Sequence, residues 1–197
     1  MDLTIAGLTF SPSEPDVWTL DDGVLTGVAG PRTDLFVDPT SGSASLNAPR
    51  LQTVPPSGDF QLRAQVDVEF AATYDAGVLL LWAGEHAWAK LCFEYSPQAS
   101  GMVVSVVTRG RSDDANGYTV DGSSVALRVS RIGGAYAFHA SIDDGLTWDL
   151  VRHFSLDSGA DVTVGFEVQS PTGDACRARF RHIALQSATL ADLRDGS

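Results

Sequence analysis

Hydrophobic and polar residues alternate with a period of two along most of the chain. This pattern is typical of β-strands, whose successive side chains point to opposite faces of a sheet. Almost no segment holds the 3.6-residue period of a helix, and only residues 188–194 favour a helical turn. The chain is therefore predicted to be all-β. The predicted strands are 59–70, 76–82, 87–95, 102–109, 125–132, 135–142, 148–154, 161–169 and 175–185, with further short strands before residue 59.

Turn-forming residues separate the predicted strands, and short connections favour antiparallel neighbours. Strands in this number cannot bury their apolar faces in one flat sheet, so we expect two sheets packed face to face. The prediction is a two-sheet antiparallel jelly-roll sandwich formed by a single domain, residues 1–197. The segment 38–57, rich in Pro, Ser and Gly, is predicted to be a long surface excursion. The predicted turns are Asp22-Gly23, Gly84-Glu85, Asn116-Gly117, Asp121-Gly122, Gly133-Gly134, Asp144-Gly145 and Pro171-Thr172-Gly173.

Composition and charge narrow the possible partners. Hydrophobic residues make up 44% of the 197 residues, which is typical of a globular chain. The 13 basic and 25 acidic residues give a net charge of −12, which disfavours nucleic acid and anionic lipid surfaces as partners. The longest apolar stretch, 77–83, is too short to span a membrane, and no signal peptide is predicted. We expect a cytoplasmic protein, either monomeric or homodimeric.

The two cysteines, Cys92 and Cys176, lie far apart within predicted strands. Two thiols are too few for a disulfide framework or a zinc site, so we expect free, buried thiols in a reducing compartment. Asp113, Asp114 and Asn116 could hold Ca²⁺, but their preference for turns explains their clustering without an ion. No metal and no cofactor are predicted.

The predicted strand 87–95 divides its side chains between two different faces. Apolar residues, among them Phe93, point to the predicted core, while Trp88, Lys90 and Glu94 point to the opposite face. A Trp ring can stack on the C–H groups of a sugar, and a Lys and a Glu can bind its hydroxyls or a carboxylate. The other interpretation is a cross-strand ion pair beside an amphipathic Trp.

Other polar residues could join this face if their strands are neighbours of strand 87–95. Arg128, His139 and Glu167 would then form a shared polar cluster with Lys90 and Glu94. Glu94 with Asp75, or Glu94 with Glu167, could supply the two carboxylates of a glycosidase. Acidic residues are also common exposed groups in a chain this acidic, so these pairs do not by themselves indicate catalysis. No catalytic residue is assigned.

Residues 141–148, Ser-Ile-Asp-Asp-Gly-Leu-Thr-Trp, match the Asp-box pattern of β-hairpins in sialidases and other β proteins. In this pattern the Asp carboxylate accepts N–H groups of the turn, and Gly supplies a positive φ. Sialidases carry several copies and this chain has one. We therefore interpret the motif as a device that builds the fold.

One stretch of the chain reads Tyr74-Asp75-x-Gly77 followed by Trp88-x-Lys90-x-x-x-Glu94. With several shorter motifs between about 18 and 182, it resembles a domain-of-unknown-function family whose fungal member is described as a regulator of enolase. The resemblance implies the concanavalin A-like lectin and glucanase fold. The family pattern falls on Tyr74, Asp75, Trp88, Lys90, Glu94, Arg128 and Ser141, with no known catalytic role attached to them.

These observations favour a non-catalytic, regulatory β-sandwich that binds a carbohydrate or a sugar phosphate on a concave face. The expected ligand-binding residues are Tyr74, Asp75, Trp88, Lys90, Glu94, Arg128, His139 and Glu167. One alternative is a glycoside hydrolase or lyase that uses Glu94 with Asp75 or Glu167. The other alternative is a protein-interaction module that regulates a metabolic enzyme.

Overall fold

The computed structural model describes residues 1–156 and 161–197. Within these ranges the regular elements are β-strands, apart from one short 3₁₀ helix at Pro15–Val17. The strands are β1 (Leu3–Ile5), β2 (Leu8–Pro12), β3 (Trp18–Asp21), β4 (Val24–Ala29), β5 (Leu35–Val37), β6 (Ala44–Leu46), β7 (Arg50–Thr53), β8 (Phe60–Glu69), β9 (Ala76–Trp82), β10 (Ala87–Tyr95), β11 (Gly101–Arg109), β12 (Ser112–Val120), β13 (Ser124–Ile132), β14 (Ala135–Ser141), β15 (Asp149–Phe154), β16 (Thr163–Gln169) and β17 (Cys176–Gln186).

Two large sheets form a sandwich, as the alternation predicts. The eight-stranded sheet has the order β1-β2-β7-β16-β9-β10-β11-β12, and the seven-stranded sheet has the order β15-β14-β13-β8-β17-β4-β3. One apolar cluster fills the space between the sheets. Phe166 of the eight-stranded sheet contacts Phe180 of the seven-stranded sheet, with ring centroids 4.8 Å apart. The predicted all-β antiparallel sandwich is confirmed.

The third, two-stranded sheet is the hairpin formed by β5 and β6, which covers part of the outer face of the eight-stranded sheet. Leu35 and Val37 of the hairpin belong to a second apolar cluster that also contains Leu80, Trp88 and Val106. The backbone N–H of Val37 also donates a hydrogen bond of 2.9 Å to Oγ of Ser112 in β12. The hairpin thus leaves only part of this outer face open to solvent.

Three local predictions are wrong. Asn116-Gly117 is not a turn but lies within β12, where backbone pairing with β11 outweighs the turn preference of these residues. The helical turn predicted at 188–194 lies later in the chain, where a hydrogen bond of 3.0 Å from N of Gly196 to O of Asp192 closes a single turn that does not continue as a helix. The excursion 38–57 contains β6 and β7, and β7 pairs with β16 as part of the eight-stranded sheet.

Both cysteines are free and buried, as predicted. Burial raises the pKa of the Cys176 thiol above its ordinary value. Among the residues that the structure describes, no helix has the length and apolar character needed to cross a membrane.

Candidate functional site

The outer face of the eight-stranded sheet carries the polar residues expected of strand β10. Lys90 pairs across the sheet with Leu80 on one side and Val106 on the other, and Glu94 pairs with Ala76 and Met102. Each of these polar side chains is therefore flanked by apolar ones on the same face. This arrangement surrounds the two ionisable groups of β10 with apolar neighbours on β9 and β11.

A cleft of about 430 Å³ opens where the β5–β6 hairpin ends. Lys90, Glu94 and Gln169 line it from the strands at the centre of the sheet, and Asp114 and Asn116 line it from the edge strand β12. The remaining wall comes from β11, from loops and from the hairpin, and its members are Asp34, Phe36, Tyr74, Ser96, Pro97, Gln98, Met102, Val106 and Pro171. We call this space the hairpin cleft.

Lys90 is a buried cation with two partners. Its Nζ donates to Oε1 of Gln169 at 2.7 Å and lies 3.3 Å from Oδ1 of Asp34. Burial acts to lower its pKa, but attraction to the carboxylates of Asp34 and Glu167 outweighs burial, so the pKa lies above its ordinary value. Gln169 is itself held, because its Nε2 donates to the carbonyl of Tyr74 at 3.1 Å. The ammonium is therefore charged and fixed in position.

Glu94 has a different character from Lys90. Burial raises its pKa to about 8, and attraction to Lys90 only partly offsets this. At neutral pH the carboxyl group is therefore mostly protonated and can both donate and accept a hydrogen bond. No side chain among the described residues is hydrogen bonded to Glu94. Its polar atoms are thus available to a ligand in the hairpin cleft.

The aromatic surface of the cleft is not the one expected. Trp88 is completely buried beneath the β5–β6 hairpin, with its ring centroid 5.7 Å from Nζ of Lys90. Its ring is therefore not available for stacking on a ligand. Phe36, half-buried, and Tyr74, 41% exposed, line the cleft in its place.

Asp75 is buried and its carboxylate is occupied by the protein itself. Oδ2 accepts hydrogen bonds from the backbone N–H groups of Ala71 and Ala72, and Oδ1 accepts one from Oγ of Ser170. These bonds connect the loop before β9 to the end of β16. Asp75 therefore stabilises one margin of the cleft and does not line it.

We expect Asp75→Ala to lower the free energy of unfolding by about 2 kcal/mol, because two backbone N–H groups and the buried hydroxyl of Ser170 lose their acceptor. Chemical denaturation measures this loss. The matched control is Asp174→Ala, which removes a carboxylate whose side chain is 97% exposed. Equal effects of the two substitutions would contradict the structural role of Asp75.

Glu167 lies on the same outer face but is fully buried. Neither carboxylate oxygen has a hydrogen-bond partner among the described residues. Burial raises its pKa to about 7, although attraction to Lys90 acts against burial. Glu167 is therefore near the expected cluster, but it is closed off from a ligand in the cleft.

Arg128 and His139 do not join this cluster, which corrects the conditional expectation that they share its face. They are directly paired with each other on β13 and β14 of the seven-stranded sheet. Arg128 donates from Nη2 to the carbonyl of Gly196 at 2.6 Å, and Nε2 of His139 lies 2.9 Å from the carbonyl of Leu193. Alternation identified the face of each strand correctly but not the sheet to which it belongs.

The Asp-box residues form the turn that their pattern predicts. Oδ1 of Asp143 accepts hydrogen bonds from Oγ of Ser141 and from the backbone N–H groups of Leu146 and Thr147. The hydroxyl of Thr147 donates to Oδ2, and this bond, with those from the Thr147 N–H, Ser141 and Leu146, lowers the pKa of Asp143 to about 2. Gly145 adopts a φ of 86°, a conformation that favours glycine. The motif builds a loop on the seven-stranded sheet, away from the hairpin cleft.

Most residues that line the cleft were missed as ligand-binding candidates from the sequence, among them Asp34, Phe36, Asp114 and Gln169. The alternation of β16 puts Gln169 on the same face as Glu167, and this could have identified Gln169 as a candidate. Asp114 was assigned to a turn, and the hairpin that carries Phe36 is too short for a clear pattern. The described residues contain no group of three or more His, Cys, Asp or Glu side chains that could hold a metal ion.

Comparison with solved structures identifies the fold. A functionally unknown protein from Saccharomyces cerevisiae has a TM-score of 0.82 at 21% identity, over 91% of this chain and 97% of its own. A GH43 protein from Bacillus licheniformis has a TM-score of 0.72 at 14% identity, over 89% of this chain and 36% of its own. This chain thus spans about a third of that protein. The alginate lyase from Klebsiella pneumoniae has a TM-score of 0.56 at 14% identity, over 88% of this chain and 85% of its own.

These likenesses establish a shared β-sandwich and nothing finer, because all three identities are low. Among curated proteins, none matches the chain. The sequence does match a family model over residues 12–188, which is most of its length. The chain therefore belongs to the DUF1349 family, whose members are described as proteins of unknown function.

Proposed function

We propose that this β-sandwich binds a neutral carbohydrate in the hairpin cleft and does not act on it. The observation that carries the proposal is the lining of the cleft, where Phe36 and Tyr74 stand near the unpartnered Glu94. Aromatic rings pack on the C–H faces of a sugar, and a few polar groups fix its hydroxyls. Asn116 and Gln98 add amide groups that can both donate and accept hydrogen bonds.

The charges of the cleft favour a neutral sugar over a sugar phosphate. Lys90 is the one basic residue among those that line the cleft, and it is already bonded to Asp34 and Gln169. Asp114 and Glu94 add acidic groups to the same space. A phosphate would therefore meet carboxyl groups rather than a free cation, in a chain whose net charge is −12.

The glycosidase alternative is supported less well by the geometry. Glu94, with its pKa raised to about 8, has the character of a general acid. Both partners proposed for it, Asp75 and Glu167, are fully buried away from the cleft. GH43 proteins share the sandwich, but this chain covers only about a third of the one compared. The third hypothesis is regulation of a metabolic enzyme through protein contact. It rests on the family resemblance noted in the sequence, in which a fungal member is described as a regulator of enolase.

The test is calorimetric titration with a panel of neutral mono- and oligosaccharides. We expect saturable binding that Phe36→Ala and Glu94→Ala each weaken about tenfold, through lost stacking and a lost hydrogen bond. Glu85→Ala is the matched control, because Glu85 is exposed and does not line the cleft. Absence of binding by every sugar, or binding that neither cleft variant changes, would overturn the proposal.

An assay with aryl glycosides separates binding from catalysis. Turnover that is lost in Glu94→Gln and kept in Glu85→Gln would replace the proposal with the hydrolase alternative. We expect no turnover, and we expect Glu94→Gln to keep its sugar affinity near neutral pH, since an amide resembles a protonated carboxyl group.

A further inference from the structure

A row of basic side chains crosses the outer face of the seven-stranded sheet, on the far side of the sandwich from the hairpin cleft. In register, His139 of β14 stands opposite Arg128 of β13, and Arg128 stands opposite Arg63 of β8. Arg128 and Arg63 are thus directly opposed like charges, which destabilise a pair of strands. This arrangement is unexpected in a chain with nearly twice as many acidic as basic residues, 25 against 13.

Three other arginines of this face, on β17, each have a carboxylate partner. Arg177 and Arg179 pair with Glu69, and Arg181 pairs with Asp67. Arg63 and Arg128, by contrast, have no carboxylate partner among the described residues.

Arg128 is buried, with 5% of its surface exposed, and its Nε has no hydrogen-bond partner among the described residues. Burial and the charge of Arg63 together lower the pKa of Arg128 to about 10. The guanidinium of Arg128 lies over the ring of Trp148, 4.2 Å from its centroid. Two neighbouring arginines thus carry charge that the described part of the chain does not balance.

A groove of about 750 Å³ lies beside these arginines. Arg63, Gln65 and Ser124 line it from the strands, and the Asp-box loop forms one side with Trp148. Ile142, 71% exposed, adds an apolar group to the same loop. The groove therefore combines an unbalanced cation and polar hydrogen-bonding groups with an apolar wall.

We propose that this groove binds a small organic acid, whose carboxylate contacts the guanidinium of Arg63 while its apolar part packs against Trp148 and Ile142. Arginine suits a planar carboxylate, because its fork of N–H groups can donate two parallel hydrogen bonds. Asp144 adds one negative charge to the lining, which also includes His182 and Arg181, whose charge is paired with Asp67. A single carboxylate fits this balance better than a phosphate dianion. The site is separate from the hairpin cleft and does not depend on the function proposed there.

The test uses benzoate as the probe and follows backbone amides and the Trp148 indole N–H by two-dimensional NMR. We expect saturable shifts at Gln65, Ser124 and Trp148, and at least a tenfold loss of affinity in Arg63→Gln. Arg109→Gln is the matched control, since it removes the same charge at an exposed position outside the groove. Arg63→Gln removes an exposed side chain, so the variant is expected to fold.

Benzyl alcohol and inorganic phosphate are the two control ligands. Benzyl alcohol has the ring without the charge, and we expect it to bind at least tenfold more weakly than benzoate. Equal binding of the alcohol, scattered shifts, or unchanged benzoate affinity in Arg63→Gln would overturn the site. Tighter binding of phosphate than of benzoate would overturn the assignment of a carboxylate.

Discussion

Trp88→Ala is expected to lower the free energy of unfolding by about 4 kcal/mol, because truncating a fully buried Trp removes its packing and leaves a cavity. Trp88 has no exposed surface. It lies in the cluster that joins the β5–β6 hairpin, through Leu35 and Val37, to the sheet beneath. Its indole N–H has no hydrogen-bond partner among the described residues, so the loss comes from packing.

Guanidinium denaturation followed by circular dichroism measures this effect. Leu146→Ala is the control, because Leu146 is 84% exposed and its truncation should change stability by less than about 0.5 kcal/mol. We also expect Trp88→Ala to weaken sugar binding, since Phe36 is carried by the hairpin that Trp88 supports. A loss below about 1 kcal/mol would mean that the hairpin is not anchored through Trp88.

The alternation of side chains predicted much of the fold, because a strand with one buried face must repeat its apolar residues with a period of two. Strands β9 and β10 have the bounds predicted for them, 76–82 and 87–95. The same rule placed Trp88, Lys90 and Glu94 on one face, where the structure has them. Strand β12 was not predicted, because it is an edge strand whose polar side chains are mostly exposed and show no alternation.

The candidate site could be predicted less well, because alternation does not indicate which strands become neighbours in a sheet. Glu167 reaches the outer face of the eight-stranded sheet because β16 pairs with β9, more than eighty positions earlier in the chain. Arg128 has the same kind of pattern and lies on the opposite side of the sandwich. Trp88 is buried beneath the β5–β6 hairpin. Strand β5 of this hairpin, Leu35–Val37, has three residues and is too short to show a periodic pattern.

The two outer faces consequently have different chemistry. The hairpin cleft holds acidic groups around one partnered cation, Lys90, whereas the opposite groove lies beside two arginines without carboxylate partners in the described part of the chain. We therefore expect a neutral sugar to bind in the hairpin cleft and an organic acid to bind in the opposite groove, because only the acid is attracted to the arginines. Cross-titration tests this separation, since Arg63→Gln should leave sugar binding unchanged and Phe36→Ala should leave benzoate binding unchanged.

The buried carboxyl groups of the eight-stranded sheet should make the protein more stable in mild acid than in mild alkali. An unfolded Glu releases its proton near pH 4.5, whereas burial raises the pKa of Glu167 to about 7 and that of Glu94 to about 8. Between about pH 4.5 and pH 8, Glu167 and Glu94 therefore hold protons in the native state that they have released in the unfolded state. The free energy of unfolding therefore falls as the pH rises through this window and is level, for these groups, above about pH 8.

The substitution Glu167→Gln isolates one part of this dependence. We expect Glu167 alone to account for about 3 kcal/mol of the loss between pH 4.5 and pH 8, and the variant should lack that part. His139 acts in the opposite direction, because burial lowers its pKa below 6.5 and its native state binds fewer protons than the unfolded state. The comparison must therefore be made between variant and parent at each pH, by denaturation from pH 4.5 to pH 8.5.

Glu85→Gln is the control for this comparison, since it makes the same substitution at an exposed position outside the buried cluster. Lys90, Asp34 and Arg50 are the charged groups that act on Glu167, and all of them stay in place in the variant. If Glu167→Gln and Glu85→Gln gave parallel profiles, Glu167 would have to be ionised in the native state throughout the window. Its burial without hydrogen-bond partners among the described residues argues for the protonated form, because an unpaired charge costs far more to bury than a neutral carboxyl group.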